Sequence, residues 1–453
     1  MRRGETNLRL DSYYNLPEHR ELVSRVQRVS CGAAFVSDPR VSEKIIEGRI
    51  TPVEGSYSEA AEDPVFLRAQ NIAEGHLDFS DAKRLLPEVF SQDKDSILAD
   101  GDIVLTIDGV RLGKAAVHRA GDEVCCISNH MVRILCGTDL TADYLSWFLN
   151  SPAGQQQILR GTTGSAIPGI RTDAIGRICV PLPAPAEQRE LVDAMESALD
   201  AQRTKLAEAD ALLAGMDAYL LDTLGLAPPP ADDRRSFALK LGALREQSRL
   251  GPDYFHPERI LAIRAMEAAS SRMACAKLSD IVAFVRDQIK APDENYIGLA
   301  GVQSRTGELS GVEEEAEGTC FTFQQGDVLF ARLRPYLNKV WCADSSGCCS
   351  PEFHVLRVIN EKSLQPEYLA AVLRSSLILA QTRHMMTGNT HPRLANEDVV
   401  NLVVPIPDPM VQQSIAAEIR RRRERARVLR VEAEAGWFEA KHWFEEQLLG
   451  PAN

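Results

Sequence analysis

The stretch Pro181-Leu182-Pro183-Ala184-Pro185-Ala186-Glu187-Gln188 joins a strand-like segment to a long helical one, and it occurs twice in this chain. The second copy reads Pro405-Ile406-Pro407-Asp408-Pro409-Met410-Val411-Gln412, which is displaced by 224 residues (405 − 181). A proline ends a strand because it lacks an N–H group, but it fits well in the first turn of a helix. The stretch therefore predicts a strand-to-helix junction that the chain makes twice.

The rest of the chain repeats with nearly the same spacing. Gly101-Asp102 returns as Gly326-Asp327, and Tyr144-Leu145 returns as Tyr368-Leu369. A solenoid repeat is only about 20–50 residues long, whereas two of these periods almost fill the 453 residues. The sequence therefore predicts a tandem duplication of a whole domain with its trailing helix. The two copies differ in most other residues, which suits one scaffold that carries two different recognition surfaces.

A long amphipathic helix follows each junction. In copy one, apolar residues after Glu187 recur at alternating spacings of three and four, with Gln202 as the one polar break. This heptad pattern is typical of a coiled coil. A helix over 187–224 would be about 57 Å long and needs a partner, which the duplication supplies as the helix after Pro409, packed antiparallel. The heptad positions are Val192, Met195, Leu199, Gln202, Leu206, Ala209, Leu213, Met216 and Leu220.

The segments before each junction predict mixed secondary structure. Residues 103–105 and 131–135 are short and β-branched, which favours strands, whereas 139–157 predicts one helix with Thr141 as its N-cap. The predicted fold class is α+β, with two tandem mixed α/β domains and two long helices that pair as an antiparallel coiled coil. The predicted boundaries are 1–185 for domain one, 186–225 for helix one, 226–248 for a linker, 249–408 for domain two and 409–453 for helix two.

Composition and charge narrow the classes of protein. Hydrophobic residues make up 44% of the chain and charged residues 25%, which are ordinary globular values. No apolar run approaches the roughly 20 residues that span a bilayer, and the first residues lack a signal-peptide pattern, so we expect a cytoplasmic protein without membrane contact. The net charge of −13 argues against a uniformly basic DNA-binding surface, although a local positive stripe or a basic partner could still provide one.

The ten cysteines do not suggest a metal centre. Cys125-Cys126 and Cys348-Cys349 fall at corresponding places by sequence spacing, and so do His130 and His354. Adjacent cysteines do not match the usual zinc spacings, and neighbours along a strand point to opposite faces. We therefore expect reduced, half-buried cysteines and no bound metal.

Motifs for catalysis are absent from the sequence. It contains no dinucleotide or phosphate-binding glycine loop, no nucleophile elbow, no H-E-x-x-H and no Asn/Asp-Pro-Pro-Tyr segment of amino-methyltransferases. Asp293-Glu294 lies near Lys290, but no downstream lysine motif completes a nuclease cluster. The sequence therefore predicts no catalytic residue and no cofactor in this chain.

Two pairs of corresponding loops carry polar and basic side chains. The first pair is 106–114 and 331–339, and the second is 163–171 and 387–393. Backbone N–H groups, hydroxyls and arginines contact phosphates, and arginine and asparagine also read base edges. The alternative is that the glycines only make turns and the arginines are solvated, but the duplicated loops together favour nucleic-acid binding. The predicted DNA-binding residues are Thr106, Arg111, Lys114, Thr163, Ser165, Arg171, Arg332, Arg334, Tyr336, Asn338, Lys339, Asn389, Thr390, His391 and Arg393.

The long helices carry the predicted partner-binding residues. Seven arginines occur between 420 and 430, and a helix turns them to every side, so they form either a solvated surface or a site for phosphates or an acidic partner. Trp437 and Trp443 are expected to anchor the helix pair or a subunit interface. The predicted partner-binding residues are Leu199, Leu206, Leu213, Arg421, Arg422 and Trp437.

The doubled proline–glutamine junction, followed each time by a long helix, resembles the specificity (S) subunit of type I restriction–modification systems over essentially the full chain. Copy two has Val411 where copy one has Glu187, which leaves open how the second helix is capped. The resemblance implies that each copy is a target recognition domain that reads one half of a bipartite, asymmetric DNA site. It also implies a non-catalytic role in phage defence.

The resemblance further implies partners and their chemistry. The long helices would hold the domains apart and dock two modification (methyltransferase) subunits. Those subunits would carry S-adenosylmethionine and methylate adenine at N6, and a restriction (translocase) subunit would join to cut DNA.

Other interpretations stay open on the sequence. One is a specificity-like subunit of another phage-defence methylation system. Another is a self-contained nuclease or methyltransferase, which the missing motifs disfavour. A third is a protein-binding scaffold with inert globular domains. Only the DNA-recognition interpretations predict that the loops contact DNA.

Overall fold

The computed structural model describes residues 17–164, 168–227, 230–232, 234, 236–238, 251–269, 273–290, 295–316, 318–386 and 392–450. They form two compact units. Unit 1 lies within Met1–Lys205 and Val431–Asn453, and unit 2 lies within Leu206–Arg430. Each unit therefore combines one globular region with a part of each long helix. Among the described helices, none is both long enough and apolar enough to cross a membrane.

Unit 1 contains two four-stranded sheets. One has the strand order β2-β11-β8-β9 and is antiparallel; the other has the order β10-β4-β7-β3, with β10 and β4 parallel. The elements are α1 Pro17–Gln27, β1 Ala33–Phe35, β2 Ser42–Glu47, β3 Tyr57–Ser58, β4 Val65–Leu67, β5 Ile72–Ala73, β6 His76–Leu77, β7 Lys83–Leu85, α2 Pro87–Phe90, β8 Ile103–Thr106, β9 Ala115–Val117, β10 Cys125–Ile127, β11 Met131–Cys136, α3 Ala142–Asn150, α4 Pro152–Gly161, α5 Thr172–Ile175, β12 Cys179–Pro181 and α6 Pro185–Leu224.

Unit 2 repeats this plan. Its sheet β14-β21-β18-β19 corresponds to β2-β11-β8-β9, and a second sheet has the order β15-β17-β20-β16. The elements are α7 Pro257–Ala268, β13 Ala274–Lys277, α8 Leu278–Ile281, β14 Val282–Val285, β15 Gln288–Lys290, β16 Tyr296–Ile297, β17 Thr319–Phe323, β18 Val328–Ala331, β19 Val340–Cys342, β20 Gly347–Cys349, β21 Phe353–Val358, α9 Pro366–Leu373, α10 Ser376–Thr382, α11 Asn396–Val399, β22 Val403–Ile406 and α12 Pro409–Leu449.

The local predictions for unit 1 are confirmed with one exception. The strands at β8 and β11 are present, and the Thr141 side chain accepts a hydrogen bond from the N–H of Tyr144, so it caps α3. The single helix predicted over 139–157 is wrong, because Ser151 is extended and Pro152 begins a separate helix, α4. A residue before proline is disfavoured in the helical conformation, and proline has no N–H to continue the ladder.

The long helices pair antiparallel, as predicted. In unit 1, Nζ of Lys205 on α6 lies 3.2 Å from Oε2 of Glu432 on α12. Leu199 of α6 and Trp437 of α12 belong to the same hydrophobic core. In unit 2, where later residues of α6 meet earlier residues of α12, the guanidinium Nη1 of Arg422 donates to the C=O of Gly215 over 2.8 Å. Each hydrophobic core thus extends onto both helices, which explains why their apolar faces form the heptad seam.

Each unit uses a carboxylate from the long helix of the other repeat. In unit 1, Glu445 of α12 accepts a hydrogen bond from the N–H of Ala153 over 2.7 Å, at the start of α4. In unit 2, Asp217 of α6 accepts one from the N–H of Ser376 over 3.0 Å, at the start of α10. Because the first N–H groups of a helix lack internal partners and favour negative charge, both contacts stabilise the helix that they cap.

The recurring glutamine of the junction is buried in both units. The Gln188 amide accepts from the N–H of Thr141 (2.8 Å) and donates to the C=O groups of Asp139 (2.8 Å) and Pro183 (2.9 Å). Gln412 makes the same three bonds to the corresponding backbone groups, at 2.8–2.9 Å. This side chain therefore ties the start of each long helix to the globular region.

The open question about the second helix start has a simple answer. The Asp408 carboxylate accepts a hydrogen bond from the N–H of Met410 over 2.9 Å, so the cap comes from the residue before the helix. Val411 is therefore compatible with a capped start, although copy one has Glu187 at that place.

Strand register corrects the sequence alignment around His130. The N–H of Ile107 donates to the C=O of His130, and the N–H of Arg332 donates to the C=O of Glu352. His130 therefore corresponds to Glu352, at an offset of 222 (352 − 130), and the predicted match of His130 with His354 is wrong. The offset is 225 at Gly101 and 224 at Tyr144, because short insertions in the two copies nearly cancel. The offsets on either side of His130 therefore do not reveal the local shift.

The cysteine pairs are shifted in the same way. The N–H of Ser128 donates to β4 and that of Ser350 to β16, so Cys126 corresponds to Cys348. Both lie in the core, and burial raises the pKa of the Cys126 thiol to about 12. Cys125 and Cys126 belong to different core clusters, on opposite faces of their strand, as predicted.

The junction glutamine generates the first test. Gln188→Ala removes three hydrogen bonds and leaves buried backbone groups without partners, so we expect the free energy of unfolding to fall by roughly 2–4 kcal/mol. Urea denaturation followed by circular dichroism measures this change. The control is Gln202→Ala on the same helix, where the half-buried side chain should change stability by less than about 0.5 kcal/mol. Equal effects of the two variants would contradict the role of the junction glutamine.

Candidate nucleic-acid interface

The two predicted loops of copy one lie side by side in unit 1. Asp108, in the loop after β8, forms a β-bridge with Gly169, in the loop before α5. The N–H of Ile170 also donates to the C=O of Ile107 over 2.8 Å. Loops that are about 60 residues apart in sequence are thus joined into one surface.

Unit 2 joins its loops at the corresponding place. Leu333 forms a β-bridge with Arg393, the N–H of Leu394 donates to the C=O of Arg332 over 2.9 Å, and the N–H of Arg334 donates to the C=O of Pro392 over 2.8 Å. We call the joined loops of each unit the loop pair: 106–114 with 163–164 and 168–171 in unit 1, and 331–339 with 392–393 in unit 2. Ser165, Asn389, Thr390 and His391, which were predicted to bind DNA, lie outside the described residues.

Two predicted DNA-binding side chains point inward instead. The Thr106 hydroxyl is buried, donates to the C=O of Arg111 and accepts from the N–H of Lys114 over 2.9 Å. The Asn338 amide is buried and donates to the C=O of Arg374. Both hold the shape of their loop, so direct DNA contact from either is corrected to a supporting role.

The corresponding lysines also reach back into their own units. Lys114 Nζ lies 2.5 Å from Glu74 Oε1, and Lys339 Nζ donates to the C=O of Leu299 over 2.6 Å. Burial lowers the pKa of Lys339. Charges that are used inside the unit are less available for phosphates, so both lysines are better described as loop anchors.

Glu74 is the centre of this anchor in unit 1. Its carboxylate also accepts from the Trp437 indole over 2.8 Å and lies 3.1 Å from Lys441. Burial alone would raise the pKa of Glu74, but the hydrogen bond and charge of Lys114, together with Lys441 and the Trp437 indole, lower it below its ordinary value. The carboxylate is therefore held ionised.

The outward side chains of unit 1 form a basic cluster. Thr163 and Arg171 are exposed and line a cavity of about 250 Å³ with Arg160 and Arg177. Arg177 lies 3.0 Å from Asp173, an exposed pair that an anion could exchange. The sequence missed Arg160 and Arg177, because they belong to helix α4 and to the turn before β12 rather than to a glycine-containing loop. Arg111 is exposed nearby on the first loop and donates to the C=O of Ile72 over 3.2 Å.

The outward side chains of unit 2 differ from the basic cluster of unit 1, because they include an aromatic residue and a carboxylate. Arg334 and Tyr336 are exposed. Arg393 lies 2.7 Å from Glu352, and this hydrogen bond lowers the pKa of Glu352. In unit 1 the residue that corresponds to Glu352 is His130, which lies 2.9 Å from Asp108. At this place unit 1 has an imidazole beside a carboxylate, whereas unit 2 has a carboxylate beside a guanidinium.

The backbone of the first loop points to a function for Arg334. Arg334 has φ 48°, in the left-handed region, and the corresponding residue of copy one is Gly109 with φ 78°. A side chain in this conformation costs roughly 1–2 kcal/mol, which glycine avoids. The turn itself favours glycine, so the scaffold does not require an arginine at this place.

Three of the predicted partner-binding residues are buried inside the chain. Leu199 and Trp437 lie in the core of unit 1, and Leu213 lies in the core of unit 2. Their role is corrected to helix pairing, since a partner cannot reach them. Leu206, in contrast, is 38% exposed.

The arginine run on α12 is largely matched by acceptors of the same chain. Arg421 and Arg422 both bond to Glu418, and the Arg422 guanidinium also lies over the Tyr219 ring. An exposed ion pair contributes little to stability, but so many pairs leave only a weak net positive surface. The other contacts are Arg420 with Glu367, Arg423 with the C=O of Thr306, Arg425 with Glu208, Arg427 with Glu424 and Arg430 with Asp210.

One group of described residues is close enough to hold a metal ion. His256, Glu258 and His384 have ligand atoms within 4.8 Å of one another. However, the two imidazole rings are stacked with centroids 3.4 Å apart, so their in-plane lone pairs run side by side instead of converging. The Glu258 carboxylate already bonds to His384 over 2.8 Å and lies 3.6 Å from Arg383. The geometry favours a hydrogen-bonded cluster within unit 2.

The chain resembles a known protein in sequence. No protein-family model matches the chain. It is 24% identical over 297 residues to the "Type I restriction enzyme EcoDI specificity subunit" of Escherichia coli, covering 62% of each protein. The chain thus spans 62% of the length of that curated relative.

Solved structures resemble the chain over most of its length. One, described as the "structural basis underlying complex assembly and conformational transition of the type I R-M system", has a TM-score of 0.51 at 14% identity, covering 93% of this chain and 97% of that one. The type I restriction–modification S subunit from M. genitalium has a TM-score of 0.44 at 12% identity, covering 94% and 97%. The predicted fold class and the resemblance to type I specificity subunits are confirmed.

The left-handed arginine provides a direct test. Arg334→Gly restores the residue of copy one, so we expect the free energy of unfolding to stay within about 1 kcal/mol of wild type, while binding of DNA that carries the recognised site weakens roughly tenfold. Fluorescence anisotropy with labelled duplex measures the binding. Arg305→Gly is the matched control, since Arg305 is also exposed and has φ 65°. Its backbone N–H bonds to the C=O of Asn338, a contact that the glycine keeps, and Arg305 is not itself a residue of the loop pair. If both variants lost the same DNA affinity, the effect of Arg334→Gly would come only from the loss of a positive charge, and a specific role of Arg334 would be contradicted.

Glu74 provides a test by pH. Its lowered pKa means that its contribution is present above the unfolded value of about 4.3 and is lost as the pH falls through the folded value. Glu74→Gln should therefore lower the melting temperature at pH 7 and flatten its decrease between about pH 5 and pH 3. Thermal melts across this range test the expectation, and parallel pH profiles for variant and wild type would refute it.

Proposed function

We propose that this chain is the non-catalytic DNA sequence-recognition subunit of a type I restriction–modification complex, in which each unit reads one half of a bipartite site. The observation that carries the proposal is the loop pair. In both units the same backbone bridges bring two distant loops together, and the outward side chains differ between the units. A duplicated scaffold with divergent surfaces is what an asymmetric two-part DNA site requires.

The chemistry of the loop pairs supports this function. Unit 1 presents arginines and a hydroxyl around one cavity, which suits phosphate contact. Unit 2 presents Arg334 and Tyr336 on an outward loop, and arginine can bond to both acceptors of a guanine edge. The likeness to the E. coli specificity subunit supports the same assignment.

The acidic net charge is compatible with this role. Within the described part of the chain, most of the long arginine run is paired with carboxylates of the chain itself, so the run adds little free positive charge for DNA. Neutralising DNA over a longer stretch would need basic surface from partners, because phosphate contacts dominate affinity.

The proposed partners are two methyltransferase subunits, and the long helices are their proposed docking surface. Those subunits would bind S-adenosylmethionine and methylate adenine at N6, and a restriction subunit would join the same cytoplasmic complex. Of the apolar residues predicted to bind partners, Leu206 is exposed, whereas Leu199, Leu213 and Trp437 are buried. Other large apolar side chains exposed along the helices are Met410, Val431, Phe438 and Trp443. The alternative is a specificity-like subunit of another phage-defence methylation system, which the identity of the co-purifying subunits would distinguish.

The test is to sequence the host methylome with the gene intact and deleted. We expect N6-methyladenine to disappear from one gapped, two-part motif on deletion, because this chain would direct the methyltransferase to it. A chain carrying Arg334→Gly should change only one half of that motif. If an actively methylating host shows the same motifs with and without the gene, while a methyltransferase subunit co-purifies with the chain, the proposal is wrong.

A further inference from the structure

Two polar side chains in unit 2 occupy positions that are apolar in unit 1. Arg332 corresponds to Ile107, because each residue's C=O accepts the N–H of the second loop, from Leu394 and Ile170 respectively. His354 corresponds to Val132, because β21 and β11 have the same register against β18 and β8. Ile107 and Val132 both lie in the core of unit 1.

Within the part of the chain that the structure describes, both polar side chains carry a buried nitrogen without a hydrogen-bond partner. His354 is 7% exposed, and its Nε2 is unpaired. Its ring stacks on Phe330 with centroids 6.4 Å apart and meets the edge of Phe284 at 6.1 Å. The Nε of Arg332 is also buried and unpaired. Such atoms are rare in folded proteins and destabilise them.

The scaffold does not need these polar groups. Unit 1 has the same strands and the same loop bridge with an isoleucine and a valine at these places. Since the polar pair lowers stability without holding the fold, its unused hydrogen-bonding capacity points to a partner from outside the chain. Both residues belong to or adjoin the loop pair, which is where the proposed function puts the DNA.

The charges around the pair assign different roles to its members. Burial, and then the positive charges of Arg332 and Arg286, lower the pKa of His354 to about 4. The imidazole is therefore uncharged at neutral pH. Arg332 carries the only positive charge of the two residues. Glu352, the nearby carboxylate, is already bonded to Arg393.

We propose that Arg332 and His354 form the base-reading pair of unit 2, an inference that rests on the proposed function. On binding, the guanidinium edge of Arg332 donates to the O6 and N7 acceptors of a guanine in the major groove. His354 acts as a positioning residue, which holds the arginine in place without adding a second charge. Unit 1, with Ile107 and Val132, has no such pair and reads its half-site through other side chains.

The experiment converts the pair to its counterpart in copy one. The full chain, in complex with its methyltransferase subunits, selects duplexes from a randomised DNA library, and the bound fragments are sequenced. The variants are His354→Val, Arg332→Ile and the double change. Lys290→Ile is the control, because it removes an exposed positive charge from the same unit. Melting temperatures are measured in parallel.

We expect the double variant to melt at or above the wild-type temperature and to lose guanine preference at one position of one half-site, by roughly tenfold or more. His354→Val should weaken the same preference, and Lys290→Ile should leave it unchanged. The other half-site, which stays intact in every variant, reports that the chain is folded. If wild type selects a motif and the double variant selects the same one, the inference is overturned and the proposed function stands. A wild-type complex that selects no motif overturns both.

Discussion

A buried side-chain amide at the start of each long helix is the interaction on which the rest of the structure depends. Gln188 bonds to backbone groups from the approach to the helix and from the segment before α3. An amide offers one acceptor and two donors in a fixed plane, so it fits one arrangement of these segments. A helix that slid by one turn would break the bonds of Gln188 to the N–H of Thr141 and the C=O of Asp139. Gln412 makes the same bonds in unit 2. A buried glutamine therefore fixes the position of the start of both long helices.

The sequence could predict features that depend on local chemistry or on a long period. The start of α12 at Pro409 and the cap at Thr141 follow from the chemistry of proline and of hydroxyl side chains. The pairing of the helices follows from the heptad and the duplication. Each of these patterns lies within a few residues or recurs many times. They can therefore be recognised without knowledge of the tertiary structure.

The orientation of single loop residues could not be predicted in the same way. Lys114 and Arg111 belong to one loop and carry the same charge, but Lys114 is bound by Glu74, 40 residues away. Nothing near Lys114 in the sequence indicates that partner. The alignment of His130 with His354 failed for a related reason, since only strand register reveals two compensating insertions. The loops could be recognised as candidates, but their outward residues could not be separated from their supports.

Each unit contains the last part of the long helix that follows the other globular region. This arrangement has a consequence for the order in which the units are completed during synthesis. Unit 2 is continuous, within Leu206–Arg430, whereas unit 1 needs Val431–Asn453 in addition to the first 205 residues. Glu445, which caps a helix of unit 1, follows every residue of unit 2 in the sequence, so it leaves the ribosome after all of them. Of the two units, the one whose synthesis begins earlier is therefore completed later. A chain that is released early would carry a finished second unit and an unfinished first one.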